Sequence, residues 1–181
     1  PWLILIALSF IWGSSFILIK RGLVSYDPLQ VGFLRVSISA LAFLPLLMWR
    51  YSRIRKEHLP WLFLVGLTGS GVPALLFALA QTHISSTMAG ILNSITPLFT
   101  LTLGILFFGS PLIWRKVMGV FIGLGGALLL LLNSGDAVFS GQFQYGLLVV
   151  LATVCYAISG NTVETKLKGL DPLAISSSAF V

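Results

Sequence analysis

The stretch WGSSFILIKRGLVSYDP, Trp12 to Pro28, returns in outline about 144 residues later as YAISGNTVETKLKGLDP, Tyr156 to Pro172. Each copy starts on an aromatic residue inside an apolar run, crosses one helix and ends in an Asp-Pro turn. Five hydrophobic runs separate the two copies. An odd number of membrane crossings turns the second copy upside down relative to the first, so the repeat predicts two inverted halves.

The rest of the chain fits a membrane setting. It is 57% hydrophobic and only 9% charged, with a mean hydropathy of +1.00. Soluble domains carry about a quarter charged residues, so this is an integral membrane protein. The net charge of +6 does not point to nucleic acid, because the basic residues are spread over short gaps and form no patch interleaved with stacking aromatics. Cys155 is the only cysteine, which excludes an intrachain disulfide or a Cys-based zinc site and leaves the reading of a small apolar filler. His, Cys and carboxylates form no cluster, so no metal and no cofactor is expected. The first apolar run has no basic flank before it and no small-residue cleavage site after it, and reads as a helix and not as a signal peptide. The last run, from Pro172 to Val181, has about half the length a bilayer requires, so further sequence is expected after it.

Runs long enough to span lie at Trp2 to Ile19, Pro28 to Trp49, Leu59 to Gln81, Ser85 to Phe108, Leu112 to Asn133 and Tyr145 to Val163. Without water, and without the period-2 alternation of a barrel, they must be helices. The expected fold is an all-α multi-pass membrane bundle on inverted five-helix repeats, ten helices when complete and six and a half here. Residues 1–133 form the first repeat, 134–144 an outside linker loop containing Asp136, and 145–181 the start of the second. Arg50, Arg53, Arg55 and Lys56 place the second-to-third gap in the cytoplasm by the positive-inside rule. By alternation Arg115, Lys116, Lys166 and Lys168 also fall inside, and only Lys20 and Arg21 outside. The N-terminus is then cytoplasmic, in a cell (inner) membrane. Trp2, Trp49, Tyr51, Trp61 and Trp114 sit at inner ends and Tyr26 and Tyr145 at outer ends, as interfacial aromatics do. Trp12 and Tyr156 alone lie deep, either as packing aromatics or as walls of a cavity.

Several residues could touch a solute. Ser86, Gly90, Asn93, Thr96 and Thr100 recur at helical spacing, and Pro97 breaks that helix and frees carbonyls near Asn93. The stripe serves either a solute path or helix-to-helix contact. Ser9, Trp12, Gly13 and Phe16 share a face of the first span, and Thr153, Tyr156 and Gly160, with Asn161 nearby, repeat it on the sixth. Arg35 is the one charge well inside a span: it either snorkels to the interface or faces a cavity, where it could hold a carboxylate or phosphate. Gly66, Gly69, Gly119, Gly123, Gly125 and Gly126 read as packing surfaces, with a hinge near Gly71 and Pro73 as the sharper alternative.

Trp12-Gly13-Ser14-Ser15-Phe16 with Lys20, then Asp27-Pro28 and Arg35, then Ala80-Gln81 through Pro97-Leu98-Phe99-Thr100, then Leu106-Phe107-Phe108-Gly109 and Gly119 to Gly126 occur in an order that resembles the drug/metabolite transporter superfamily, and within it the EamA-type permeases. The match runs over nearly the whole chain, through motifs that are each short. The resemblance implies ten helices in two inverted repeats and transport of amino acids, metabolites, nucleotide sugars or toxic compounds, often outward. Ser110 stands where the family usually has an acidic residue, which puts in doubt an ion pair from that turn to Arg115 or Lys116. The first helix also lacks the glutamate that small multidrug-resistance relatives use for proton coupling.

The expected function is secondary transport of a small metabolite such as an amino acid by alternating access, with the first, third, fourth and sixth helices lining the cavity. Trp12, Ser15, Arg35, Asn93, Thr96, Tyr156 and Asn161 are the substrate-binding candidates, and Gly71, Pro73 and Pro97 the helix breaks. A channel, scaffold or lipid-handling role is the alternative. An intramembrane hydrolase with Ser70 and His83 fits least, since the two lie about 20 Å apart along one helix. The partners are a small-molecule substrate and the bilayer, with a coupling ion and a homodimer open.

Overall fold

A backbone in hydrocarbon must satisfy its own polar groups, and the apolar runs of this chain do so as helices. The computed structural model describes residues 2–133 and 143–180, and among them all regular structure is helical. α1 covers Trp2–Gly22 and α2 Pro28–Arg50. One crossing is made by α3 (Leu59–Gly66), a π-helical turn (Leu67–Gly71) and α4 (Val72–Ala80), and the next by α5 (Ser86–Asn93) and α6 (Thr96–Phe107). α7 (Trp114–Asn133), α8 (Phe143–Lys166) and α9 (Pro172–Phe180) follow. Five segments are long and apolar enough to cross a membrane: Trp2–Gly22, Pro28–Arg50, Lys56–Ala80, Ser86–Phe107 and Phe143–Lys166. α7 adds 20 residues, about 30 Å at the helical rise. This is a multi-pass helical membrane protein. Of the expected linker, residues 134–142 lie outside the described residues, and α8 already begins at Phe143, ahead of the expected Tyr145.

The Asp-Pro repeat has a local cause. Both prolines open a helix, where a missing N–H costs nothing, and the preceding Asp sits at the cap. Asp27 N–H donates to Gln30 Oε1 at 3.1 Å, and Asp171 Oδ1 accepts from Leu173 N–H at 3.1 Å. The breaks are also local. Pro97 cannot donate to the Asn93 carbonyl, and the helix opens at Ser94-Ile95 just before it; the Thr96 hydroxyl fills the vacancy at 2.7 Å. Pro73 follows the π-helical turn in the same way, and Thr68 Oγ1 back-bonds Leu64 O at 2.7 Å.

Contacts sort the helix ends into two groups. At one end Arg50 pairs with Asp171 at 3.1 Å and Lys166 Nζ lies 5.2 Å from the Trp61 ring centroid. At the other, His83 stacks on Tyr145 at 3.8 Å, and Lys20 Nζ donates to Gln81 O at 2.6 Å and Ile84 O at 3.1 Å. α8 therefore runs antiparallel to α1. Seven of the basic side chains outside the helix interiors are grouped by alternation at the first end, hereafter the basic end: Arg50, Arg55, Lys56, Arg115, Lys116, Lys166 and Lys168. Lys20 is a cation on the orphan carbonyls of a helix terminus. Lys20→Met removes two charge-assisted bonds worth about 1–3 kcal/mol, and should lower the melting temperature in detergent by several degrees, read by intrinsic fluorescence.

α8 is the central helix, packed against α3, α4, α5 and α6, with Val149, Ala152, Thr153, Ala157 and Thr162 fully buried. Glycines of the third span permit this. A Cβ on Gly69 would meet Ser159 Oγ at 2.6 Å, and one on Gly66 would meet Ala179 O at 3.0 Å. The glycines of α7 behave otherwise: a Cβ on Gly119, Gly123, Gly125 or Gly126 meets nothing within 4 Å, so that face is not a helix-helix contact among the described residues. α2 packs against α4 and α9, where Phe43 stacks on Phe180 at 5.0 Å. α1 packs on the core through its second half, by Phe16 and Ile19, with Leu23 just after it; residues 2–14 are all exposed. The turn after α6 closes on Gly109 at φ +64°, with Ser110 N–H on Gly104 O at 2.9 Å, and among the described residues no ion pair ties it to the exposed Arg115 or Lys116.

Candidate functional site

Small residues on three helices leave a groove between α1, α5 and α7. Its volume is about 580 Å³, within the range of small-molecule sites. Gly13, Ser94 and Gly123 line it at mid-bundle, and Ile17, Ser86, Thr87 and Leu130 carry it toward the end opposite the basic one. The walls are mostly apolar. Ser86 Oγ lies 3.0 Å from Phe16 O and 3.4 Å from Gln81 Oε1.

Phe16 forms one wall and separates the groove from a second feature. Its ring lies 5.4 Å from Phe77, which lies 6.0 Å from Tyr156. Tyr156 lies near Arg35. Arg35 Nη2 donates to Ser15 Oγ at a long 3.5 Å, and Nη1 is buried with no partner. Arg35 therefore points into the bundle, between α1, α2 and α8, and does not snorkel to the interface. A buried guanidinium N–H without a partner is costly in a low dielectric.

Of the residues singled out in the sequence, Ser15, Arg35 and Tyr156 come together. Trp12 does not join them. It is 67% exposed, because the first half of α1 stands away from the other described helices. Asn93 and Thr96 satisfy the helix break, Thr96 Oγ1 lying 3.4 Å from Asn93 Oδ1. Asn161 is 2% exposed and holds α8 to α6, its Nδ2 donating to Thr100 O at 3.0 Å and Ala157 O at 2.9 Å. The polar stripe is thus divided: Ser86 and Gly90 face the groove, and Asn93, Thr96 and Thr100 serve the helix. The lining also departs from expectation. The first and fourth spans line the groove with the fifth, whereas the third and sixth stand behind Phe16 with Phe77 and Tyr156.

Four residues take places that the sequence did not show. Gln81 is fully buried, with Nε2 unpartnered beside Ser86. Ser94 lines the groove, and its only signal was its place in the break. Gly123 and Gly126 provide space where packing was expected. The hydrolase reading finds no dyad: Ser70 lies in the π-helical turn, whereas His83 is at a bundle end, stacked on Tyr145 and 2.6 Å from Thr82 Oγ1.

Residues 1–132 match the EamA-like transporter family. The chain is 28% identical over 181 residues to an uncharacterized transporter of Archaeoglobus fulgidus, covering 99% of this chain and 63% of that protein. It is 32% identical over 163 residues to the uncharacterized inner membrane transporter YedA of Escherichia coli, covering 84% and 49%. A probable terminal-alkyne amino-acid exporter of Streptantibioticus cattleyicolor is 24% identical over 164 residues, covering 88% and 54%. The chain thus spans about half to two thirds of the length of these relatives. No solved structure matches it. The family and these relatives are transporters and not enzymes, and the match covers both the groove helices and Arg35: the chain belongs to the EamA-like transporter family.

Proposed function

We propose that the chain supplies the first repeat and the start of the second in a secondary carrier that moves a small carboxylate-bearing metabolite, such as an amino acid, by alternating access. The carrier lies in the inner membrane with the basic end in the cytoplasm, as the distribution of Lys and Arg favours. One observation carries the substrate class: Arg35 Nη1 is buried and unpartnered, on a guanidinium whose Nη2 reaches Ser15 Oγ. A carboxylate matches the planar fork of a guanidinium and supplies the missing acceptor. The apolar groove admits the solute from the opposite end, and Phe16 separates it from the Phe77 and Tyr156 rings. Trp12 has no part in this reading. Bending is assigned to the π-helical turn before Pro73 and to the opening before Pro97, the two places where the ladder is already interrupted. The relative described as an amino-acid exporter supports the class of solute and decides no more than that.

The test uses the full-length protein in proteoliposomes preloaded with unlabelled amino acids. Labelled substrate should accumulate by saturable counterflow, and free carboxylates should compete while their amides do not. Conduction without counterflow, or equal competition by acid and amide, contradicts the proposal.

A further inference from the structure

At the basic end one ion pair among the described residues joins the halves. Arg50, the last residue of α2, places Nη1 3.1 Å from Asp171 Oδ2, and its guanidinium carbon lies 4.2 Å from the Trp49 ring centroid. Asp171 uses its other oxygen to cap α9 through Leu173 N–H. The two side chains are only 23% and 21% exposed. On the same pair of helices Phe43 stacks on Phe180. The repeat-related carboxylate, Asp27, is exposed at the opposite end and holds no cation among the described residues.

Desolvation offsets most of the attraction in a half-buried ion pair, so such a pair selects between arrangements more than it adds stability. We propose that Arg50 and Asp171 form the latch that keeps the basic end shut, an inference that rests on the alternating-access reading. On that reading α2 and α9 are the second helices of the two halves, and rocking must part them at one end while joining them at the other. The groove leads to the opposite end, while the basic end is joined by this ion pair. Release of Asp171 is then the step that admits solute from the basic side.

The experiment uses the full-length protein with its other cysteines replaced and a single reporter, Ser177→Cys, at a fully buried position of α9. Sealed vesicles of each orientation are treated with a membrane-impermeant thiol reagent. Asp171→Asn preserves helix capping, since Asn caps as well as Asp, and removes only the charge. It should speed labelling from the basic side about fivefold, the scale of a partly exposed ion pair, without speeding labelling from the other side. Arg50→Gln should do the same, the double variant no more, and Asp27→Asn nothing. Unchanged labelling in both single variants overturns the latch, and so does an equal rise from both sides, which marks a structural brace. If the wild type transports and labelling does not move, the latch alone fails; if the wild type shows no counterflow yet labelling shifts on one side, the carrier reading fails and the switch remains.

Discussion

Arg35→Gln is expected to lower kcat/KM for a carboxylate substrate by 100-fold or more, mainly through KM. Removing one member of a buried, hydrogen-bonded charge pair costs about 3–5 kcal/mol, because the other charge is left in a low dielectric without a partner. Arg35→Lys keeps the charge but loses the fork, and should fall between. The fold should tolerate both changes. The single bond from Arg35 to Ser15 is 3.5 Å long, and Nη1 has no partner to lose. The melting temperature in detergent should therefore hold or rise while transport collapses, a combination that a merely structural arginine does not produce.

Gly104→Ala should clearly lower stability. The added Cβ would stand 2.7 Å from Asn161 Oδ1 and 3.2 Å from Ser110 Oγ. Asn161 cannot swing away cheaply, since its amide holds Thr100 O and Ala157 O and the residue is 2% exposed. Overpacking of this kind costs about 1–3 kcal/mol, enough to lower the melting temperature by several degrees. Adding Asn161→Ala removes the obstacle, so the double variant should lose less than the sum of the single changes. Gly123→Ala is the contrast: nothing lies within 4 Å of its Cβ position, and the melting temperature should not fall. Equal losses at Gly104 and Gly123 would mean that the close α6–α8 approach is not what the first substitution disturbs.

Hydropathy and loop charge made the spans and their alternation legible, because bilayer thickness and backbone self-satisfaction leave helices little freedom. The break before Pro97 was legible for the same kind of reason: a missing N–H has a local consequence. That Arg35 and Tyr156 lie inside spans could be read as well. Lateral arrangement could not. Trp12 belongs to the same helical face as Phe16, yet only Phe16 packs against the core of the described helices, and a periodic pattern does not say where along a helix its contacts stop. Asn161 shows a second limit. A residue that glues helices and one that binds a solute have the same side chain, and only its bonds to Thr100 and Ala157 separate the two roles. The glycines of the third span and of α7 look alike in sequence, but one set is pressed against α8 and α9 while the other borders open space.

The most direct test compares transport of an amino acid with that of its uncharged amide in the wild type and in Arg35→Gln. The account predicts strong preference for the acid in the wild type, and preference reduced to within a few-fold in the variant as the acid loses its partner. A variant that transports poorly yet keeps the full acid-over-amide preference would show that the carboxylate is recognised elsewhere, and would contradict the assignment of Arg35.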